Sequence, residues 1–114
     1  MYDLIVIGGG PAGYVGAIRA AELGAKVALV ERAELGGTCL NWGCIPTKAL
    51  LKSAQVYHYC KNAKNFGVVV DGDVKADLKA MVARSRQVAQ TTGRGVDMLL
   101  KRSGVEVING SATL

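Results

Sequence analysis

The stretch "DLIVIGGGPAG" at residues 3–13 constrains this chain more than any other. A short apolar run ends in three glycines, and a proline follows. Residues 3–8 read as a strand apolar enough to be buried on both faces. Pro11 suits the first turn of a helix, where its missing N–H would have no partner anyway. Residues 11–23 carry helical spacing, with Ala17, Ala20 and Ala21 keeping one face small and Gly24 placed to end it. Residues 26–31, "KVALVE", read as a second buried strand. Strand, tight turn, helix and strand make one βαβ unit, so the expected fold class is α/β, Rossmann-like, with a parallel sheet.

The turn itself carries the pattern Gly8-x-Gly10-x-x-Gly13. Such a pattern is weak alone, but here it sits between a strand and a helix, and an acid closes the next strand. Gly8 allows the tight turn. Gly10 lets the backbone approach a pyrophosphate, which can rest on the helix N-terminus formed by Pro11 and Ala12. Gly13 permits close helix–strand packing. Glu31 is placed to accept hydrogen bonds from a ribose diol and would repel a 2′-phosphate. The expectation is a dinucleotide without that phosphate; the motif does not separate NAD from FAD.

Residues 36–48, "GGTCLNWGCIPTK", hold two of the three cysteines, Cys39 and Cys44. They could be inert thiols, half of a zinc site or a redox pair. A regular helix would keep their Cα atoms too far apart to bridge, so pairing needs irregular winding, which Gly43 and Pro46 both ease. The helix that follows would offer its N-terminus to the pair and favour a thiolate. Zinc would need two further ligands. Only Cys60 and His58 remain, on one predicted helix and without a matching pair spacing. The redox pair is therefore the preferred reading, and Cys60 reads as a buried helix residue.

The rest of the chain extends the same architecture. Residues 45–62 read as a helix, 67–70 as a strand, 71–73 as a turn and 105–109 as a third strand. Residues 76–102 make a long amphipathic helix with Leu78, Met81, Val82, Val88, Val96, Leu99 and Leu100 on its apolar face. Gly93 and Gly95 weaken its middle by about 1 kcal/mol each relative to alanine, which suggests a kink or close packing. At 114 residues, half of them hydrophobic, the chain suits a single ordered core and not a disordered segment. No apolar run is long enough to span a bilayer, and the N-terminus has no basic leader, so a cytoplasmic setting with no membrane is expected. The net charge of +5 is spread along the chain with one Phe and one Trp, which argues against a nucleic-acid partner. Three strands make one half of a doubly wound sheet, so the chain is expected to be a fragment or to borrow strands, with marginal stability or oligomer formation.

The cysteine stretch together with "DLIVIGGGPAGYVGAIRAAELG" resembles the FAD-dependent pyridine nucleotide–disulfide oxidoreductases across the whole chain. Trp42 and Thr47 in "LNWGCIPTKALL" favour their dihydrolipoamide dehydrogenase branch; glutathione and mercuric reductases share the frame but usually carry other residues there. The resemblance implies that the chain is the N-terminal part of an FAD-binding domain, without the NAD-binding and dimerisation domains. It implies that Cys39 exchanges with the substrate disulfide or dithiol and that Cys44 lies against the flavin as a charge-transfer thiolate. Lys48 would sit near the flavin's reactive nitrogen. Glu31 would hold the adenosine ribose, with Arg32 beside it, while Gly37 and Thr38 line the phosphates and ribityl chain. Ala112, in "NGSA", would touch adenine through its main chain. The implied reaction passes two electrons from protein-bound dihydrolipoamide through the Cys39–Cys44 disulfide and FAD to NAD⁺. The implied partners are a second subunit, making a homodimer, and the lipoyl domains of a 2-oxo acid dehydrogenase or glycine cleavage complex. Without the later segments and the partner's acid–base pair, the chain alone is expected not to turn over; a glutathione- or mercuric-reductase-like member, or a non-catalytic nucleotide-binding fragment, is the alternative. Trp42 is expected to serve packing, and Tyr57, His58 and Tyr59 to form helix surface or a subunit contact.

Overall fold

The computed structural model describes all residues from Met1 to Leu114. Strand β1 (Leu4–Ile7) leads through the glycine turn into helix α1 (Pro11–Glu22), and β2 (Val27–Glu31) follows. Gly24 takes a left-handed backbone (φ 94°) just past the end of α1, where an L side chain would be strained. A short helix α2 (Gly37–Asn41) abuts helix α3 (Cys44–Lys61). A 3-10 turn at Ala63–Phe66, helix α4 (Leu78–Arg102) and strand β3 (Glu106–Asn109) complete the chain.

The sheet is parallel with order β1-β2-β3, pairing Leu4 with Val27 and Ala28 with Glu106. Only the central strand has neighbours on both sides and helices over it, and Val27, Ala28 and Leu29 are buried. The sequence leads one to expect β1 buried on both faces. In this three-stranded sheet it is the edge strand that such a half-sheet leaves open, with Ile5 57% and Ile7 53% exposed. The core gathers Ala17 of α1, Val27 and Leu29 of β2, Leu40 of α2, Val96 and Leu100 of α4, and Val105.

Residues 67–70 form no strand. Gly67 ends the 3-10 turn in a left-handed conformation (φ 71°), and Val68, Val69 and Val70 run on exposed, with no neighbouring strand to pair. The apolar face of α4 also differs from its sequence pattern. Leu78, Val82 and Leu99 are exposed, whereas Ser85, Ala89, Val96 and Leu100 are buried. Helices α3 and α4 pack against each other, burying Pro46 and Ala49 on the first and Ser85 and Ala89 on the second, and the Ser85 hydroxyl donates to the Val82 carbonyl. The helix pair extends well beyond the sheet. The molecule measures 64 × 26 × 16 Å with a radius of gyration of 19.6 Å. A compact chain of this length would have about 13 Å.

Candidate functional site

The glycine turn is held from three directions. Gly8 turns the chain at a left-handed φ of 102° and donates its N–H to the Val30 carbonyl at 2.8 Å. A Cβ on Gly13 would fall on the Gly8 carbonyl oxygen, so only glycine lets α1 start this close to the turn. The Gly9 N–H donates to Glu31 Oε2 at 2.7 Å, and Glu31 Oε1 accepts from the Ala33 N–H at 2.8 Å. Burial pushes the Glu31 carboxyl up, but the N–H groups of Gly9, Ala33 and Arg32 and the charge of Arg32 more than offset this, so its pKa is held below the ordinary value. Each carboxylate oxygen keeps a lone pair for a further donor.

The first N–H groups of α1, those of Ala12 and Gly13, have no partner within the helix. Gly10 caps α1 without a side-chain bond, and a Cβ on it would meet open space. Pro11 and Ala12 are exposed beside it. The turn therefore presents free donors and the positive end of α1 to an open surface. An anionic diphosphate fits there on both counts.

The cysteine segment begins on this same turn. The Gly36 N–H donates to the Gly9 carbonyl at 2.7 Å, and Gly37 packs so tightly on Gly10 that a Cβ would lie 2.9 Å from the Gly10 Cα. Cys39 follows two residues later, within about 7 Å of chain reach. Helix α2 then ends at Asn41, Trp42 and Gly43 break the winding, and α3 starts at Cys44. This break supplies the irregular winding that the spacing demands. Cys39 and Cys44 are disulfide-bonded, with their Cα atoms 4.7 Å apart.

Cys44 is the first residue of α3, and Lys48 lies one turn along on the same face. Both are exposed, while Cys39 is half-buried. Exposure alone thus does not mark Cys39 as the more accessible sulfur. Pro46 falls in the first turn of α3, where it breaks no helical bond. His58 and Cys60 lie about 21 Å and 24 Å along α3 from Cys44, so neither reaches the pair. Both sulfurs of the pair are bonded to one another.

The segment after β3 closes on the same region. The Gly110 N–H donates to the Glu31 carbonyl at 2.9 Å, bringing half-buried Ala112 near the end of β2. Beyond the carboxyl ends of β2 and β3 lies a cavity of about 410 Å³, whose wall includes Ala33, Leu35, Asn41, Trp42, Arg86 and Asn109. Trp42 is 57% exposed in that wall. Thr38 and Arg32 are exposed. Tyr57 is half-buried and His58 and Tyr59 are exposed on α3, Tyr59 standing edge-on to Phe66.

The sequence assigns no role to two residues here. The Asn41 amide donates to the Leu35 carbonyl at 3.0 Å and the Gly37 carbonyl at 2.9 Å. Arg86, forty-five residues later, donates to the Asn41 carbonyl at 2.9 Å. Asn41 stands between the cysteines and could have been singled out on that ground. Nothing local marks Arg86.

The family model described as "Pyridine nucleotide-disulphide oxidoreductase" matches residues 2–114. The chain belongs to this family. A dihydrolipoyl dehydrogenase of Rhizobium etli is 55% identical over 99% of the chain, and one of Zymomonas mobilis is 58% identical over 99%. A dihydrolipoyl dehydrogenase of Bacillus subtilis is 47% identical over 96%. The chain spans about a quarter of the length of these curated relatives, 24%, 24% and 23% in turn. As a member of the pyridine nucleotide–disulphide oxidoreductases it carries an α/β fold, a glycine turn and a bonded cysteine pair, all on one surface. No helix is long and apolar enough to cross a membrane.

Proposed function

We propose that this chain is the redox-disulfide part of the FAD-binding domain of a dihydrolipoyl dehydrogenase. The single observation that carries the reading is the continuity of the surface. Glu31, the glycine turn and Cys39–Cys44 are stitched together through Gly9, Gly36 and Gly37. The names of the relatives support lipoamide over glutathione or mercuric ion as the substrate.

The residues present suit FAD. Its adenosine ribose would meet Glu31 and Arg32, its adenine the cavity beside Ala112, and its diphosphate Gly10, Ala12 and Gly13. Gly37 and Thr38 would line the ribityl chain, and Cys44 with Lys48 the flavin ring. When bound, FAD supplies a two-electron acceptor that can hand a hydride to NAD⁺. The exposed face of Cys44 and Lys48 is the one the ring would cover, which leaves Cys39 to the substrate.

At that disulfide, one thiolate of dihydrolipoamide attacks Cys39, forming a mixed disulfide and releasing Cys44 as a thiolate. The second substrate thiol then displaces Cys39, giving cyclic lipoamide and the reduced pair, with two electrons and two protons transferred. The start of α3 favours the released Cys44 thiolate through its helix dipole. The working enzyme is a cytoplasmic homodimer served by lipoyl domains of a 2-oxo acid dehydrogenase or glycine cleavage complex. Its NAD-binding and dimerisation domains lie outside these residues, and the chain alone does not turn over.

The test is a visible spectrum of the chain with FAD, before and after one equivalent of dithiol under anaerobic conditions. A perturbed flavin band that gains long-wavelength absorption on reduction is expected, since it places a Cys44 thiolate against the ring. A spectrum identical to free FAD would sink the proposed site in this chain.

A further inference from the structure

We propose that Arg86 is a positioning residue for the Cys39–Cys44 pair and sets its redox poise from a distant helix. The disulfide spans the junction of α2 and α3, and a covalent bond holds that junction only while the pair is oxidised. In the dithiol state the sulfurs stay adjacent only through non-covalent restraints. Those restraints are few. The Asn41 amide ties its own segment to the Leu35 and Gly37 carbonyls, the Trp42 N–H donates to Thr38, and the Thr47 N–H donates to Gly43.

All of those bonds lie within residues 35–47. Arg86 is the one side chain outside that stretch that hydrogen-bonds to the loop between the cysteines. Its guanidinium donates to the Asn41 carbonyl, at the end of α2, where helical carbonyls have no partner of their own. The bond joins the break between the helices to α4, which is anchored in the core by Val96 and Leu100. A Cβ built on Gly93, two turns further along α4, would come 3.7 Å from the Leu35 carbonyl oxygen and 3.8 Å from Asn41 Oδ1, so α4 runs alongside the loop over this length.

The direction of the effect follows from linkage. A brace that holds two thiols adjacent raises their effective concentration and favours the disulfide, so removing it makes the pair easier to reduce. A purely electrostatic role gives the opposite sign. A guanidinium favours thiolates, and its loss would make the pair harder to reduce. Reduction here breaks the Cys39–Cys44 bond and adds two electrons and two protons, while dithiothreitol leaves as its cyclic disulfide.

The proposal rests on the pair cycling between disulfide and dithiol, and the experiment separates the two ideas. The cofactor-free chain is equilibrated in dithiothreitol buffers of graded ratio, and the free thiols at Cys39 and Cys44 are alkylated and counted by mass. Arg86→Met is expected to weaken disulfide formation about tenfold, which moves the midpoint about 30 mV positive for a two-electron couple. Arg86→Lys, which keeps the charge and a donor, moves the same way by a smaller step, and it serves alone if Arg86→Met does not fold. Arg94→Met, removing an equal charge from the same cavity wall, leaves the midpoint where it was. A wild-type pair that never titrates overturns the redox reading and this proposal with it. A pair that titrates but does not respond to Arg86, shifts negative, or responds equally to Arg94 overturns this proposal alone.

Discussion

Glycines 10 and 13 are three residues apart, yet they are glycines for different reasons. At Gly13 the reason is the fold, because a methyl would strike the Gly8 carbonyl oxygen. Gly13→Ala should therefore cost about 1–3 kcal/mol or more in urea unfolding, as overpacked sites do. At Gly10 a methyl meets only open space, and its φ of −70° suits any residue. Gly10→Ala should keep stability within about 1 kcal/mol, a typical cap effect. It should nonetheless lose FAD affinity in a fluorescence titration, because the methyl occupies the space a diphosphate needs. Unchanged affinity would mean that no ligand backbone approaches there. Glu31 adds a pH dependence. Its pKa is lowered on folding, so its contribution is fully present above the unfolded value near 4.5 and is lost as pH falls through the lower folded value. Glu31→Gln should remove that acid-limb loss. Identical pH profiles for the two proteins would contradict the assignment.

At the scale of elements, α4 decides more than any other helix. It is capped by Asp77, whose carboxylate accepts from the Ala80 N–H at 2.9 Å, and it reaches the core only in its second half. Leu100 is fully buried there against β2 and Val105. Leu100→Ala should cost about 2–5 kcal/mol, read as a lower urea midpoint. Leu99, equally apolar and adjacent, is half-exposed, and its truncation should cost far less. Sequence periodicity groups the two leucines and does not rank them. It also misses the buried Ser85 and Ala89, because a helix packed closely on another helix buries small residues rather than large ones. The opposite error falls on Val68–Val70, where β-branched residues suggest a strand and no neighbouring edge exists to pair with them.

For the whole molecule, the controlling fact is which faces are covered. Strand β1 offers an open edge and the exposed side chains of Ile5 and Ile7, in a chain whose helices leave most of that strand bare. Such an edge pairs with other chains. The isolated chain is expected to self-associate at micromolar concentration and above. Ile5→Lys should shift it toward monomer in sedimentation equilibrium. A wild-type chain that stays monomeric throughout that range would show the edge to be inert.

The sequence by itself determined the βαβ unit and the glycine turn, put an acid at the end of β2 and favoured the pairing of Cys39 with Cys44. These are local: each depends on backbone freedom, on period or on spacing within about thirty residues. Tertiary structure alone decided that Gly36 and Gly37 seat the disulfide on the glycine turn, that the Gly9 N–H donates to Glu31, and that Arg86 reaches Asn41 across forty-five positions. The last of these depends on how α4 packs back along α3. A packing direction is the sum of many weak contacts between distant segments, and no single stretch of sequence carries it.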